Sequence, residues 1–281
     1  MFGLIGEDTS KSLSPRIHNI AMKKADVRST YLTFSASEGE LESVVSNLRN
    51  SRIEGFNVTI PFKERIIKHL DVISFEAEQI GAVNTVNKEG NTLVGFNTDC
   101  PGFLRTLEDN NFEPAGRRAL VLGSGGAARA VCFGLLGSTA ASLVIASRNT
   151  DSAQAITDNI NRRQNGICCK SISISDNSII EEIEQADLIV NTTPLGSSRF
   201  TGSSPLPEGA PLHNGQVVFD IVYEPPVTPL LAQAARNGAG TVNGLGMLVH
   251  QALESLKIWI GVEVDAGYVL SKLDETRRIY R

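Results

Sequence analysis

The chain has 281 residues, of which 41% are hydrophobic and 20% charged, with a formal net charge of −5. This length and composition favour a two-domain globular enzyme and exclude the basic surface that nucleic acid or an anionic membrane would need. Charged residues in the first sixteen positions argue against a signal peptide, and no apolar run approaches the roughly 20 residues that cross a bilayer. The four cysteines fit no zinc spacing, so we expect reduced thiols, no metal site and a cytoplasmic location.

Strand-like and helix-like segments alternate along the chain. The predicted strands are residues 2–5, 30–34, 56–60, 119–122, 142–147, 188–192 and 217–223. The predicted helices are residues 15–25, 40–49, 126–136, 151–163, 228–237, 245–260 and about 264–279. This alternation is typical of an α/β fold built on mostly parallel sheets.

The first helix begins in a run of hydroxyl side chains. Ser14 precedes Pro15, a pattern that predicts Ser14 as the helix N-cap. Ser12 and Ser14 could instead offer hydroxyls to a carboxylate at the helix start, where the helix dipole favours an anion.

Polar residues also follow the predicted strand 56–60. Thr59 and Lys63 flank the junction with a helix that we expect to begin at Pro61. A lysine in the first helical turn faces the positive end of the dipole, so helix stability does not explain it. Two interpretations of Lys63 remain open: a lysine that transfers a proton, or a solvated surface lysine. Further on, Asp99 supplies a carboxylate that could also cap a helix near residue 101.

A glycine-rich turn follows the strand 119–122. The spacing is G-x-G-x-x-A on Gly123, Gly125 and Ala128, with a helix directly after it. Gly123 permits a tight turn, Gly125 lets the backbone approach a pyrophosphate, and Ala128 permits close helix–strand packing. The helix start then offers free N–H groups to phosphates. This context predicts a Rossmann-type nucleotide-binding domain over residues 102–240.

The next strand ends at Ser147 without the acidic residue that binds a ribose hydroxyl in NAD enzymes. Arg148 stands there instead and could pair with a 2′-phosphate, which favours NADP. An exposed arginine at a strand end is the simpler alternative, and NAD stays open. The Gly/Ser/Pro-rich stretch 197–211 reads as a long surface loop.

Eight motifs, in this order, resemble those of the shikimate dehydrogenase family over essentially the whole chain. They are Ser12-Leu-Ser-Pro15, Asn57-Val-Thr-Ile-Pro-Phe-Lys63, Gly81-Ala-Val-Asn-Thr85, Asn97-Thr-Asp99, Gly123-Ser-Gly-Gly-Ala127, Asn191-Thr-Thr-Pro-Leu-Gly196, Asp220-Ile-Val-Tyr223 and Gly244-Leu-Gly-Met-Leu-Val-His-Gln251. The resemblance implies two domains with the active site in the cleft between them. It implies a smaller α/β substrate domain made of residues 1–101 and 241–281, to which the terminal helices return.

The resemblance also implies roles for individual residues. Lys63 and Asp99 would be catalytic. The substrate would be held by Ser12, Ser14, Thr59, Asn84, Asp99, Tyr223 and Gln251. The cofactor would be held by Gly123, Ser124, Gly125, Gly126, Ala127, Ser147, Arg148, Ile221, Gly244 and Met247.

The family reaction is the reversible NADPH-dependent reduction of 3-dehydroshikimate to shikimate in aromatic amino-acid biosynthesis. Two features depart from the family pattern: Lys11 replaces the usual histidine before the first serine, and the second basic residue that usually comes shortly after the arginine is missing, since Asp151 and Ser152 follow Arg148. A quinate or aminoshikimate dehydrogenase using NAD and a cofactor-binding sensor without turnover are therefore alternatives. The sequence leaves open the division of acid and base roles between Lys63 and Asp99, and whether the protein is a monomer or a homodimer.

Overall fold

The structure is a computed structural model that describes residues 1–162 and 167–279. The chain divides into two compact units. The first contains Met1–Gly102 together with the chain from Leu248 onward, and the second is Phe103–Met247, which extends past the boundary expected at residue 240. Among the described helices, none combines the length and hydropathy needed to cross a bilayer.

The first unit contains a six-stranded mixed sheet. Its strands are β1 (Phe2–Gly6), β2 (Tyr31–Ser35), β3 (Gly55–Val58), β4 (Val72–Ile73), β5 (Thr85–Glu89) and β6 (Thr92–Phe96). They lie in the order β2-β1-β3-β5-β6-β4. Strand β5 runs antiparallel to both β3 and β6, and the other pairings are parallel. The sheet is therefore mostly parallel, as predicted, with one antiparallel strand in it.

Helices and short 3₁₀ turns connect these strands. They are α1 (Ser14–Lys24), α2 (Leu41–Arg49), α3 (Phe75–Ile80) and the 3₁₀ helices Glu38–Glu40 and Arg65–His69. Two terminal helices complete the unit: α9 (Leu245–Ile260), whose first three residues belong to the second unit, and α10 (Ala266–Ile279). The core on one face of the sheet includes Val45, Phe56, Phe62 and Ile66, all nearly inaccessible to solvent. Burial of this apolar face stabilises the unit and holds the strand ends in place.

The second unit contains a parallel six-stranded sheet. Its strands are β7 (Arg118–Leu122), β8 (Ser142–Ser147), β9 (Cys168–Ser173), β10 (Leu188–Asn191), β11 (Val217–Asp220) and β12 (Gly240–Asn243). The order is β12-β11-β10-β7-β8-β9, and every pairing is parallel. This is the doubly wound order, in which β7 and β10 lie side by side at the point where the strand order reverses.

The helices of the second unit are α4 (Asp99–Asp109), α5 (Gly126–Gly137), α6 (Thr150–Asn161), α7 (Ile179–Gln185) and α8 (Pro229–Arg236). Helix α4 begins within the first unit. Two apolar clusters fill the second unit, one containing Val121 and Ile145 and the other Leu120 and Val144. Successive residues of one strand thus pack into opposite clusters, so both faces of the sheet are buried. This explains why the sequences of these strands are continuous apolar runs.

The structure corrects two predicted helix starts. The helix expected from Pro61 is a turn followed by the 3₁₀ helix Arg65–His69. The carbonyl of Lys63, which an α-helix would use internally, accepts the N–H of Val83 at 2.8 Å. The N-cap of α1 is Leu13, whose side chain makes no cap hydrogen bond, so the prediction of Ser14 as the cap is wrong. The N–H of Ser14, the first residue of the helix, is accepted by Ser12 Oγ. Residue 163, the expected end of α6, lies outside the described residues.

Candidate functional site

A lysine–carboxylate pair lies at the centre of the candidate site in the first unit. Lys63 Nζ is 2.5 Å from Asp99 Oδ2, with side-chain exposures of 16% for the lysine and 6% for the aspartate. A charge-assisted hydrogen bond this short and this protected from solvent fixes both groups. The partial exposure of Lys63 leaves its ammonium accessible for a proton transfer.

Asn84 holds the second oxygen of this carboxylate. Its Nδ2 donates to Asp99 Oδ1 at 2.9 Å, while its Oδ1 accepts the backbone N–H of Thr98 at 2.7 Å. A backbone N–H can only donate, so the orientation of the Asn84 amide is determined: oxygen toward Thr98 and nitrogen toward Asp99.

Asn97 sets the backbone at the start of α4. Its Oδ1 accepts the N–H groups of Asp99 and Cys100 at 3.0 and 3.2 Å. Asn97, and not Asp99, therefore caps the start of α4. The Asp99 carboxylate binds Lys63 and Asn84 instead. Its position at the N-terminus of α4 also favours its negative charge.

Lys63 lies in a turn, so the argument from a helix dipole does not apply to it. Its position comes from its neighbours: Phe62 is completely buried, and the Lys63 carbonyl accepts from Val83, one residue before Asn84. The turn and the Asn84 segment are thus hydrogen-bonded directly to each other.

Gln251 joins this group from helix α9. Asn84 Nδ2 also donates to Gln251 Oε1 at 3.3 Å, and Gln251 Nε2 donates to the carbonyl of Leu248 at 2.7 Å. The structure therefore brings together four of the predicted site residues, namely Lys63, Asn84, Asp99 and Gln251. Their donors and acceptors could meet both a hydroxyl group and a transferred proton.

The two predicted serines form a separate pair. Ser12 Oγ donates to Ser14 Oγ at 3.1 Å and accepts the Ser14 backbone N–H at 3.1 Å. Thr59 is half-buried and places its methyl group against Gly6. Among the described residues the Thr59 hydroxyl has no hydrogen-bond partner, so it is available to form a hydrogen bond with a ligand.

Sequence reasoning missed a buried polar network behind Asn84. Asn57 Nδ2 donates to the carbonyl of Asn84 and to the hydroxyls of Thr85 and Ser255, at 2.9 to 3.1 Å. Asn57 Oδ1 is 3.0 Å from His18 Nε2. Burial lowers the pKa of His18 to about 3, so its ring is neutral. The sequence feature that could have indicated this network is Asn57, a polar residue between Phe56 and Val58 in an otherwise apolar strand.

The glycine loop of the second unit has the predicted geometry. Gly123 has φ +114°, and a Cβ there would lie 2.5 Å from Thr192 Oγ1, so the fold itself requires this glycine. Gly125 differs, because its φ is −86° and a Cβ would meet nothing within 4 Å. Gly126 and Ala127 begin α5, and Ala128 is completely buried.

The end of β8 lies beside this loop. Ser124 Oγ is 2.9 Å from Ser147 Oγ, and Ser147 Oγ accepts the N–H of Asn149 at 3.2 Å. Asn149 then caps α6 through Ser152. Arg148 is exposed, and among the described residues it makes no hydrogen bond or ion pair. Its guanidinium is therefore available to an anion.

The residues predicted for the nicotinamide end have structural explanations of their own. A Cβ at Gly244 would lie 2.0 Å from the carbonyl oxygen of Ile221, so close backbone packing requires this glycine. Met247 is 6% exposed and belongs to the apolar core of the second unit. Tyr223, which was predicted to help hold the substrate carboxylate, is half-buried. Packing within the fold therefore accounts for Gly244 and Met247 without a bound cofactor.

A buried carboxylate joins the ends of β10 and β11. Asp220 accepts from Asn191 Nδ2 at 2.9 Å, the Val222 N–H at 3.0 Å and the Thr228 hydroxyl at 2.6 Å. Burial raises the pKa of Asp220, and these hydrogen bonds oppose the rise. The network positions the segment that contains Ile221.

A doubly wound nucleotide-binding sheet, together with an α/β unit that holds a lysine–aspartate pair, defines the class of two-domain nucleotide-dependent oxidoreductases. Family models agree with this class. Residues 4–86 match the shikimate dehydrogenase substrate binding domain, and residues 244–273 match the shikimate 5′-dehydrogenase C-terminal domain.

Curated relatives match nearly the whole chain. A shikimate dehydrogenase (NADP⁺) of Caldanaerobacter subterraneus subsp. tengcongensis is 39% identical, with 97% of this chain and 96% of the relative covered. One from Methanopyrus kandleri is 40% identical, over 93% and 90% of the two chains. The chain belongs to the shikimate dehydrogenase family, whose named members are oxidoreductases acting on a CH–OH group.

Solved structures share the fold. A shikimate dehydrogenase in complex with NADP⁺ is 34% identical, with 98% and 94% of the chains covered and a TM-score of 0.88. The Listeria monocytogenes enzyme, in complex with shikimate and NAD, is 33% identical over 97% and 95%, with a TM-score of 0.87. A quinate dehydrogenase from Corynebacterium glutamicum in complex with NAD is 28% identical over 97% and 98%, with a TM-score of 0.86.

Proposed function

We propose that this protein is a shikimate dehydrogenase that uses NADP to interconvert shikimate and 3-dehydroshikimate, in the pathway toward aromatic amino acids. The observation that carries the proposal is the Lys63–Asp99 pair, held at 2.5 Å beside Asn84 and Gln251. A pair of this kind can exchange a proton with a ring hydroxyl, and the neighbouring amides can recognise further hydroxyls.

Reduction of a ketone to an alcohol adds one hydride to the carbonyl carbon and one proton to the oxygen. The nicotinamide cofactor supplies the hydride when it is bound. Lys63 donates the proton to the oxygen and removes it in the reverse direction. Asp99 keeps the lysine side chain in one position through the 2.5 Å contact, and Asn84 keeps Asp99 in place.

Substrate recognition is assigned to hydroxyl and amide groups. Ser12 and Ser14 are the proposed partners of the substrate carboxylate, together with Tyr223. The ring hydroxyls are assigned to Thr59, Asn84, Asp99 and Gln251. Support comes from the free hydroxyl of Thr59 among the described residues and from the clustering of the other three.

The second unit fits a dinucleotide. Gly125 has an ordinary φ and open space where a Cβ would be, so the fold does not explain why it is a glycine, whereas close approach of a pyrophosphate does. Ser124, Gly126 and Ala127 complete the proposed phosphate loop, with Ser147 beside it. Arg148 would bind the 2′-phosphate of NADP, and Ile221, Gly244 and Met247 would border the nicotinamide.

Four free cysteines support a protein that keeps its thiols reduced, as the cytoplasm would do. We propose that it works there as a monomer or homodimer, which light scattering would distinguish.

One spectrophotometric assay tests the function. Shikimate and quinate are each measured with NADP⁺ and with NAD⁺, following nicotinamide reduction. We expect the highest kcat/KM for shikimate with NADP⁺. A higher value for quinate with NAD⁺ would reassign the enzyme. Absence of turnover with all four pairs would exclude both assignments and leave an aminoshikimate dehydrogenase or a cofactor-binding sensor, which aminoshikimate as a third substrate would distinguish.

A further inference from the structure

Helix α9 carries a buried serine directly behind the site. Ser255 is completely buried, one helical turn after Gln251. Its hydroxyl donates to the Gln251 carbonyl at 2.9 Å, and because that carbonyl can only accept, the single hydroxyl proton is committed there. Toward its other neighbours Ser255 Oγ is therefore an acceptor.

Three groups converge on this oxygen. Asn57 Nδ2 and Thr85 Oγ1 are each 2.9 Å away, and Thr98 Oγ1 is 3.3 Å away. Core packing alone would be served by alanine, which brings no polar atom to be satisfied. The serine is thus explained by the polar groups that it connects.

Thr85 carries the connection to the site. Its single hydroxyl proton goes to Ser255 Oγ, so Thr85 Oγ1 accepts from Thr98 Oγ1 at 3.0 Å. Thr98 Oγ1 in turn accepts from Asn84 Nδ2 at 2.9 Å. The Asn84 amide is therefore connected to Ser255 through the hydroxyls of Thr98 and Thr85. The same Asn84 amide nitrogen also donates to Asp99 Oδ1 and Gln251 Oε1.

We infer that Ser255 and Thr85 are positioning residues, which hold the Asn84 amide toward Asp99 and so keep the Lys63–Asp99 pair in its working geometry. The inference rests on the proposed function. Without the Ser255 oxygen, the Thr85 hydroxyl is free to turn and Asn57 loses one acceptor, so the Asn84 amide gains freedom. Small displacements of catalytic groups lower rates strongly.

The test compares Ser255→Ala, Thr85→Val and Thr85→Ser with the wild type in steady-state kinetics with shikimate and NADP⁺. We expect kcat/KM to fall about tenfold for Ser255→Ala and Thr85→Val and to stay within about twofold for Thr85→Ser, which keeps the hydroxyl. The KM for NADP⁺ should not change, because both residues lie in the first unit. If Ser255→Ala does not fold, the two Thr85 variants provide the test.

Two controls separate positioning from general destabilisation. Val45→Ala shortens a buried core side chain on α2 of the same unit and should lower the melting temperature while leaving kcat/KM unchanged. Ser138→Ala removes the same kind of serine-to-carbonyl bond, to Gly134, in the second unit, and should also leave the kinetics unchanged.

A double-mutant cycle gives the decisive result. If Ser255 acts through Asn84, Ser255→Ala should have no further effect on kcat/KM in an Asn84→Ala background. An unchanged kcat/KM in the single variant, or a loss of equal size in both backgrounds, overturns the inference. A wild type that turns over none of the acids refutes the proposed function instead. In that case the same cycle is read from the dissociation constant of shikimate, measured by isothermal titration calorimetry.

Discussion

Lys63 is the residue whose removal should affect the chemical step most. Lys63→Ala removes the proposed proton carrier, and general acid–base groups typically contribute about 10²- to 10⁴-fold. We expect kcat to fall within that range while the dissociation constant of shikimate changes little. Lys68→Ala, an exposed lysine on the neighbouring 3₁₀ helix, is the matched control. A fall in kcat of less than about tenfold would assign the proton to another group.

Arg148 tests the choice of cofactor. A charge-assisted contact to a phosphate contributes roughly 1.5–3 kcal/mol, or about 10- to 150-fold in affinity. Arg148→Ala should therefore lower kcat/KM for NADP⁺ and leave that for NAD⁺ almost unchanged. Arg162→Ala, at the far end of α6, should change neither.

These measurements must share one ionic strength, because salt screens an exposed contact of this kind. Since no second basic residue comes shortly after Arg148, the wild-type preference for NADP⁺ should be moderate. Equal losses with both cofactors would show that Arg148 does not bind the 2′-phosphate.

At the level of single residues, motif resemblance found Lys63, Asn84, Asp99 and Gln251, which the structure brings together. It did not find Thr85, Thr98 or Ser255. Short hydroxyl side chains occur in caps, loops and cores alike, so their identity alone carries little information. Their arrangement depends on contacts between α9 and the sheet, and neither periodicity nor local spacing reveals such contacts.

The start of α1 allows binding to be separated from stability. Ser14 does not cap the helix, so Ser14→Ala should weaken shikimate binding with little change in melting temperature. Ser12→Ala should also weaken binding. It leaves the Ser14 N–H without its acceptor, which costs about 1 kcal/mol of unfolding free energy.

Titration calorimetry and thermal melts on both variants check this difference. A lower melting temperature for Ser14→Ala than for Ser12→Ala would restore the capping role to Ser14. Unchanged shikimate affinity in both variants would remove the serines from the substrate site.

Among the elements, those with strong apolar patterns were predicted within one or two residues. Strand β8 and helix α9 have the predicted bounds, because each buries a clear apolar run or face. Strands β5 and β6 were missed, since the polar run Asn87-Lys88-Glu89 and the adjacent apolar residues Leu93 and Val94 break the alternation of polar and apolar side chains. The Gly90-Asn91 pair between them is a hairpin signal that could have found them.

The helix predicted after Pro61 failed for a different reason. A proline at a first helical position is a good local signal, but here a long-range hydrogen bond outweighs it. The Lys63 carbonyl accepts from Val83, twenty positions further along the chain, and so is not available to a helix. Local propensity cannot predict such a contact.

At the scale of the whole molecule, burial of His18 makes stability depend on pH. The folded protein keeps this ring neutral down to a pKa of about 3, whereas the unfolded chain protonates it near 6.5. Between those values the unfolded state binds more protons, so the unfolding free energy falls as the pH is lowered, by up to about 1.4 kcal/mol per pH unit from this residue. Above pH 6.5 its contribution is constant.

Denaturant titrations from pH 7 to pH 4 measure this slope. His18→Gln is the reference, since it cannot ionise in this range; it should be less stable at pH 7 but show a shallower slope. Proton NMR gives an independent check, because the His18 ring resonances should not titrate above about pH 4. Titration near pH 6.5 would contradict the buried neutral ring.

The β5–β6 hairpin has the candidate site at one end and an exposed turn at the other. Asn84 precedes β5 and Asp99 follows β6, so both site residues lie at the open end of the hairpin. The turn at Gly90-Asn91 is exposed and lies a full strand length away, roughly 17 Å for five residues. Changes in loop length at this turn leave the pairing at the open end untouched. Peptide tags, fluorescent labels and natural insertions should therefore be accommodated there, within the sixteen-residue segment 84–99 that also carries half of the acid–base pair.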